Sequence, residues 1–184
     1  METYISLLRG INVSGQRKIL MSDLKALYEA LKLRDVVTYI QSGNVLFKTD
    51  KKESNQSLAK KIGQAIFKKY NFDVTVIVRS TSEIVNIISD NPFLKDSNID
   101  TDKLHVTFLS ETPEKEKFKS IAQFDYPPDK FIIIDQNVLL YCPINYGETK
   151  LSNKFFETKL NVSATTRSWK TVNKLVELAS PSEA

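Results

Sequence analysis

Two stretches of this chain collect side chains suited to anion recognition. The first is Arg9-Gly10-Ile11-Asn12-Val13-Ser14-Gly15-Gln16-Arg17-Lys18, answered later in the chain by Gln41-Ser42-Gly43-Asn44. Arginine forks, and backbone N–H groups turned outward where glycine permits it, stabilise negatively charged oxygen. The second is Thr165-Thr166-Arg167-Ser168-Trp169, which precedes an apolar-periodic segment. Thr166 or Ser168 is placed there to cap a helix, so a positive dipole end would lie beside Arg167. The candidate ligand-binding residues are therefore Arg9, Asn12, Arg17, Gln41, Ser42, Asn44, Thr166, Arg167 and Trp169. The same residues also make sense as plain architecture. Glycine reaches positive φ, Asn and Ser bond to nearby backbone, and Arg17 and Lys18 need only water. Trp169 would staple its helix to the core, and Arg167 would pair with a carboxylate. Gly15 lacks the Lys-Ser/Thr that a phosphate-binding P-loop requires after it.

Other chemistries are excluded by count. With one cysteine, Cys142, and one histidine, His105, the chain has no disulfide framework, no cysteine zinc cage and no two-histidine centre. His105 falls on a segment whose alternate residues are apolar, the pattern of a hydrogen-bonded structural histidine. Cys142 precedes Pro143 with no neighbour to lower its pKa, so it reads as a packed thiol. No nucleophile elbow is present, and the carboxylates fall on helix surfaces and linkers rather than in an acid–base pair. No catalytic residue, metal or cofactor is assigned. The chain of 184 residues carries 26 Lys+Arg against 22 Asp+Glu, a net charge of +4. The lysine doublets at 51–52, 60–61 and 68–69 are interspersed with acids, so nucleic acid is not an expected partner. No apolar run reaches the ~18 residues of a membrane span, and the start lacks the pattern of a secretory signal.

Hydrophobic periodicity supplies the elements that position these residues. Strands are expected at 3–9, 36–40, 44–49 and 74–78. A helix with Leu20, Leu24, Leu27, Tyr28 and Leu31 at helical spacing and Ser22 as N-cap follows the first strand, and one carrying Leu58, Ile62, Ala65 and Ile66 precedes the fourth. The order βαββαβ is that of a ferredoxin-like plait. Ser80-x-x-Glu83 is a capping box for a helix that Asn91-Pro92 ends, and 93–103 reads as a polar linker. The pattern then repeats, with a strand at 104–109 and a helix from Thr112-Pro113. A hairpin at 130–134 and 138–142 turns on Asp135-Gln136-Asn137. A helix with Leu151, Phe155 and Phe156 follows, then an extended piece at 163–166 and a last helix from Trp169. The expected fold is α+β, with two βαββαβ repeats on antiparallel sheets. The domains are 1–79, a helix and linker at 80–103, and 104–184. Several strands are apolar on both faces, so the sheet face without helices must be covered, by the other repeat or by a second copy. A homodimer through an apolar sheet face is one such arrangement.

Five segments carry a family resemblance. They are Leu7-Leu8-Arg9-Gly10-Ile11-Asn12-Val13, Thr38-Tyr39-Ile40-Gln41-Ser42-Gly43-Asn44-Val45, Asn91-Pro92-Phe93, Lys150-Leu151-Ser152-Asn153, and Ala164-Thr165-Thr166-Arg167-Ser168-Trp169-Lys170-Thr171-Val172. In this order they resemble the bacterial domain-of-unknown-function family 1697. The resemblance implies a small cytoplasmic bacterial protein of two ferredoxin-like repeats, and it carries over no activity, substrate or cofactor. Where this chain has Ser168 and Lys170 the family commonly has Asn, so a role that needs a carboxamide there does not transfer.

The leading functional reading is binding of an anionic small molecule or nucleotide-like ligand at the strand-end loops. An enzyme, a transferase or hydrolase using the same cluster to stabilise an oxyanion, is the second reading. Single-stranded RNA binding is the third, weakened because Asn44-Val45-Leu46-Phe47-Lys48 lacks the paired aromatics of an RNA-stacking sheet.

Overall fold

The computed structural model describes residues 2–180. Its elements run β1 (Thr3–Leu8), α1 (Met21–Ala30), β2 (Arg34–Tyr39), β3 (Asn44–Lys48), α2 (Asn55–Tyr70), β4 (Val76–Ser80) and α3 (Thr81–Ser89). They continue as β5 (Leu104–Leu109), α4 (Lys115–Ile121), β6 (Lys130–Ile134), β7 (Asn137–Tyr141), α5 (Asn153–Leu160), β8 (Ala164–Ser168) and α6 (Trp169–Ala179). The fold is α+β, with two antiparallel four-stranded sheets ordered β2-β3-β1-β4 and β6-β7-β5-β8. Compact packing divides the chain into Met1–Val85 with Lys174–Ala184 as one unit, and Asn86–Asn173 as the other. The second half of α6 thus belongs with the first sheet. Among the described residues, no helix is long and apolar enough to cross a membrane.

In the first unit Val45, Phe47, Val76 and Val78 pack under Leu24, Leu27 and Tyr28 of α1 and Leu58, Ile62 and Ile66 of α2. A 2.7 Å hydrogen bond between the hydroxyls of Tyr28 and Ser6 fixes α1 on β1, and the Tyr28 ring meets Phe47 edge-on at 5.7 Å. The alternate residues Ile5, Leu7, Leu46 and Ile77 point to the opposite face and are equally buried, as doubly apolar strands require. In the second unit Leu109, Val138, Leu140 and Ala164 pack against Ile121 of α4 and Phe156 and Leu160 of α5.

The two units match at several positions. Asn44 lies opposite Leu7 as Asn137 lies opposite Phe108, and Arg79 opposite Ile5 as Arg167 opposite Val106. Ser54 and Ser152 accept from the N–H three residues on and cap α2 and α5, and both helices end on a left-handed asparagine, Asn71 and Asn161.

Several boundaries differ from the sequence reading. Leu20, extended at φ −69° and ψ 138°, is the N-cap of α1 in place of Ser22, because the Leu20 carbonyl already accepts from Leu24 at 2.9 Å. β4 runs from Val76 to Ser80, later than 74–78, since its pairing with β1 continues through the polar Arg79 and Ser80. The Ser80–Glu83 capping box forms in both directions, with Glu83 N–H on Ser80 Oγ at 3.2 Å and Ser80 N–H on Glu83 Oε2 at 2.6 Å. The 93–103 segment holds two short 3₁₀ turns, Pro92–Lys95 and Thr101–Lys103, each opened by an Asn or Asp side chain. Glu114 is still extended, so α4 starts at Lys115 rather than at Pro113. Leu151 precedes α5, and β8 reaches Ser168, which puts Thr166 and Arg167 inside a strand.

One glycine sets the end of the first sheet. Gly43 has φ +83°, its carbonyl accepts from Leu8 N–H at 2.8 Å, and an added Cβ would sit 2.7 Å from Leu8 Cβ. Gly43→Ala therefore meets both a left-handed backbone and a buried side chain, and is expected to cost at least about 1–3 kcal/mol in urea unfolding.

Candidate functional site

Backbone conformation builds the site from the loop after β1. Gly10, Asn12, Ser14, Gly15 and Arg17 all have φ between 48° and 74°. Consecutive left-handed residues at Ser14-Gly15 make the tight turn of a small hairpin, in which Gln16 N–H donates to Val13 C=O at 2.9 Å and Asn12 N–H to Arg17 C=O at 3.2 Å. The Asn12 carboxamide then ties this hairpin down. Its Nδ2 donates to the carbonyls of Ile19 at 2.9 Å and Gln41 at 3.0 Å, and its Oδ1 accepts from Ile19 N–H at 2.9 Å. The end of β1, the start of α1 and the β2–β3 turn are thereby held together, as the strand order demands.

Between them lies a cavity of about 270 Å³ lined by Asn12, Gly15, Lys18, Ile19, Leu20, Met21 and Gln41. Its chemistry is mixed. Lys18 brings a cation and Gln41 a carboxamide, while Ile19, Leu20 and Met21 supply an apolar wall. Helix α1 begins at this wall with no side-chain hydrogen bond from its N-cap, so the dipole end of a ten-residue helix adjoins the hollow. Residues 9–18 contain three cations and no acid. The arrangement can hold an anionic group joined to an apolar body.

The sequence candidates distribute around this cavity unequally. Asn12 and Gln41 line it. Arg17 is exposed, its Nη1 lying 3.5 Å from where a Gly10 Cβ would be. Arg9 is half-buried, and its N–H donates to Thr75 C=O at 3.0 Å. Asn44 is fully buried and closes the β2–β3 turn, donating to Tyr39 C=O at 3.1 Å and Ser42 Oγ at 3.0 Å. Lys18, Ile19, Leu20 and Met21 were missed as lining residues. The acid-free run ending at Lys18 was the available signal for the first, and nothing in the sequence distinguishes the other three from core.

The second cluster sits in the other unit and is interior. Arg167 and Trp169 are buried. Arg167 Nη1 donates to Thr165 Oγ1 and to Thr166 C=O, both at 2.9 Å, and burial lowers the guanidinium pKa while the nearby Tyr146 opposes that shift. Thr166 Oγ1 bonds to Thr107 Oγ1 at 2.6 Å and Asn153 Oδ1 at 2.7 Å, joining β8 to β5 and α5. Ser168, not Thr166, caps α6 by accepting from Thr171 N–H at 3.3 Å.

His105 lies half-buried on β5. Its ring stacks on Tyr146 with centroids 4.4 Å apart, and Nδ1 lies 3.3 Å from Lys103 C=O. Cys142 is buried, and desolvation pushes its thiol up to about 11. Among the described residues, no three His, Cys, Asp or Glu side chains group in a way that could hold a metal ion.

Two expectations follow. Asn12→Asp keeps the acceptor for Ile19 N–H but sets a carboxylate against two carbonyls, so it should cost about 1–3 kcal/mol in chemical unfolding. Burial lowers the His105 pKa below its ordinary 6.5, so the folded state resists protonation while the unfolded state accepts it. Stability contributed by neutral His105 is therefore complete above about pH 6.5 and declines as pH falls through the lower folded value. The fall in melting temperature over that window should shrink in His105→Gln.

Comparison with solved structures finds a conserved bacterial protein from Streptococcus pneumoniae with a TM-score of 0.76 at 21% identity, covering 97% of this chain and 99% of that one. At that identity the likeness speaks to the fold alone. Comparison with curated proteins yields no match. The family pattern matches residues 1–139, which include the Arg9–Lys18 loop and the Gln41–Asn44 turn but not the segments at 150–153 and 164–172. Described as "Protein of unknown function (DUF1697)", it is the family to which this chain belongs.

Proposed function

We propose that this protein binds an anionic small molecule, of the phosphate-ester or nucleotide-like class, in the cavity between the β1–α1 loop and the β2–β3 turn. The observation that carries the reading is the start of α1, without a side-chain cap, opening on a hollow that also receives Lys18 and Gln41. The apolar wall of Ile19, Leu20 and Met21 favours a ligand with a non-polar portion over a bare inorganic ion. Arg17, exposed and next to Lys18 in the chain, adds long-range attraction. Asn12, Ser42 and Asn44 act by holding the walls. The matched caps, asparagines and strand registers of the two units support two ferredoxin-like repeats related by internal duplication, and the family resemblance implies a cytoplasmic bacterial setting.

Calorimetric titration with phosphate, sulfate and adenosine monophosphate tests the reading. Adenosine monophosphate should bind more tightly than either inorganic ion, and Lys18→Ala and Gln41→Ala should each weaken it by roughly tenfold without lowering the melting temperature. No detectable binding of any of the three at millimolar concentration, or affinity unchanged in both variants, would overturn it.

A further inference from the structure

The two sheets treat their corresponding edges in opposite ways. β2, the edge of the first sheet, is blunted. Its pairing with β3 slips between Arg34 and Val37, Asp35 has φ 50°, and ion pairs Arg34–Asp50 and Asp35–Lys48, each at 2.8 Å, place charge along it. β6, the edge of the second sheet, has none of these features. It keeps register with β7 through all five pairs from Lys130–Tyr141 to Ile134–Asn137, and four successive residues, Phe131 to Ile134, are apolar. No strand of its sheet lies on its outer side. Beside it is a cavity of about 570 Å³ whose lining includes Phe118, Phe124, Phe131 and Ile133, with Phe118 43% exposed.

We infer that β6 pairs antiparallel with β6 of a second copy of this chain, joining two second-unit sheets into one. The strand is complementary to itself. With Ile132 on a twofold axis normal to the sheet, Phe131 of each copy lies opposite Ile133 of the other, an aromatic–β-branched pair, and Lys130 lies opposite Ile134. Antiparallel pairing also brings the Lys130 end of one strand to the Asp135 end of the other, where Asp129 stands directly opposite Asp135 with Lys130 beside it, so the charges there are mixed and the complementarity rests on the apolar pairs. The Asp129 carboxylate accepts from the Thr149 hydroxyl at 2.5 Å, which orients it without removing its charge. The same operation keeps both helix layers on one side and brings the two Phe118 cavities alongside the seam. That adds apolar area which a five-residue strand alone does not supply. The pairing is edge to edge, and independent of any ligand in the first unit.

Introducing a positive or a negative charge at the exposed Ile134 tests this on the full-length chain by sedimentation velocity across a concentration series. Wild type should dimerise. Ile134→Lys faces Lys130 of the other copy twice per dimer and should weaken association by about fivefold, whereas Ile134→Glu should preserve or tighten it. Circular dichroism checks that both variants fold, and the opposite sign of the two effects separates pairing from general damage to β6. A wild-type monomer at every concentration, a dimer indifferent to both substitutions, or equal weakening by Lys and Glu would overturn the inference.

Discussion

The carboxamide of Asn12 does the work of a peptide group. Its amide and carbonyl bond to Ile19 as a neighbouring strand would, and the second amide hydrogen reaches Gln41. A loop with five left-handed residues has little regular hydrogen bonding of its own, and each such residue other than glycine is held against its preference. The side chain of one residue, itself at φ 55°, offsets that deficit and anchors three chain segments at once. The hollow between the loop and α1 exists because those segments cannot collapse onto one another.

Much of the architecture was readable from spacing. Tyr4 to Leu8, Val74 to Val78 and Val138 to Cys142 announced strands apolar on both faces, and the strand order followed from βαββαβ. Boundaries failed where the decisive bond is made by backbone. Ser22 is a better capping side chain than Leu20, yet the helix begins where Leu20 turns extended. Arg79 and Ser80 look like the end of an apolar strand, but their backbone pairs with Ile5 and Tyr4 regardless of side-chain polarity.

The gathering of the candidate residues was legible in the sequence, and their side-chain roles only partly. Arg9, Asn12, Gln41, Ser42 and Asn44 do gather at one end of the first sheet. Spacing could not say which groups would face solvent and which would be consumed in holding the loop. Asn44 shows the difficulty, since its amide is taken by Tyr39 and Ser42. Its counterpart Asn137 has a buried Oδ1 with no partner, so one residue type at matched positions meets two different fates. In the second unit Thr166 read as the end of an extended piece and Arg167 as the residue just beyond it; both lie inside β8, where Arg167 is buried and Thr166 half-buried.

The chain's sole sulfhydryl lies beyond the reach of water, with ionisation suppressed by its apolar surroundings. Alkylating reagents attack the ionised form, so towards them the folded molecule behaves as though it had no such group. A fluorophore or spin probe attached through an added surface cysteine would thus report from one address only, with the natural residue left in place.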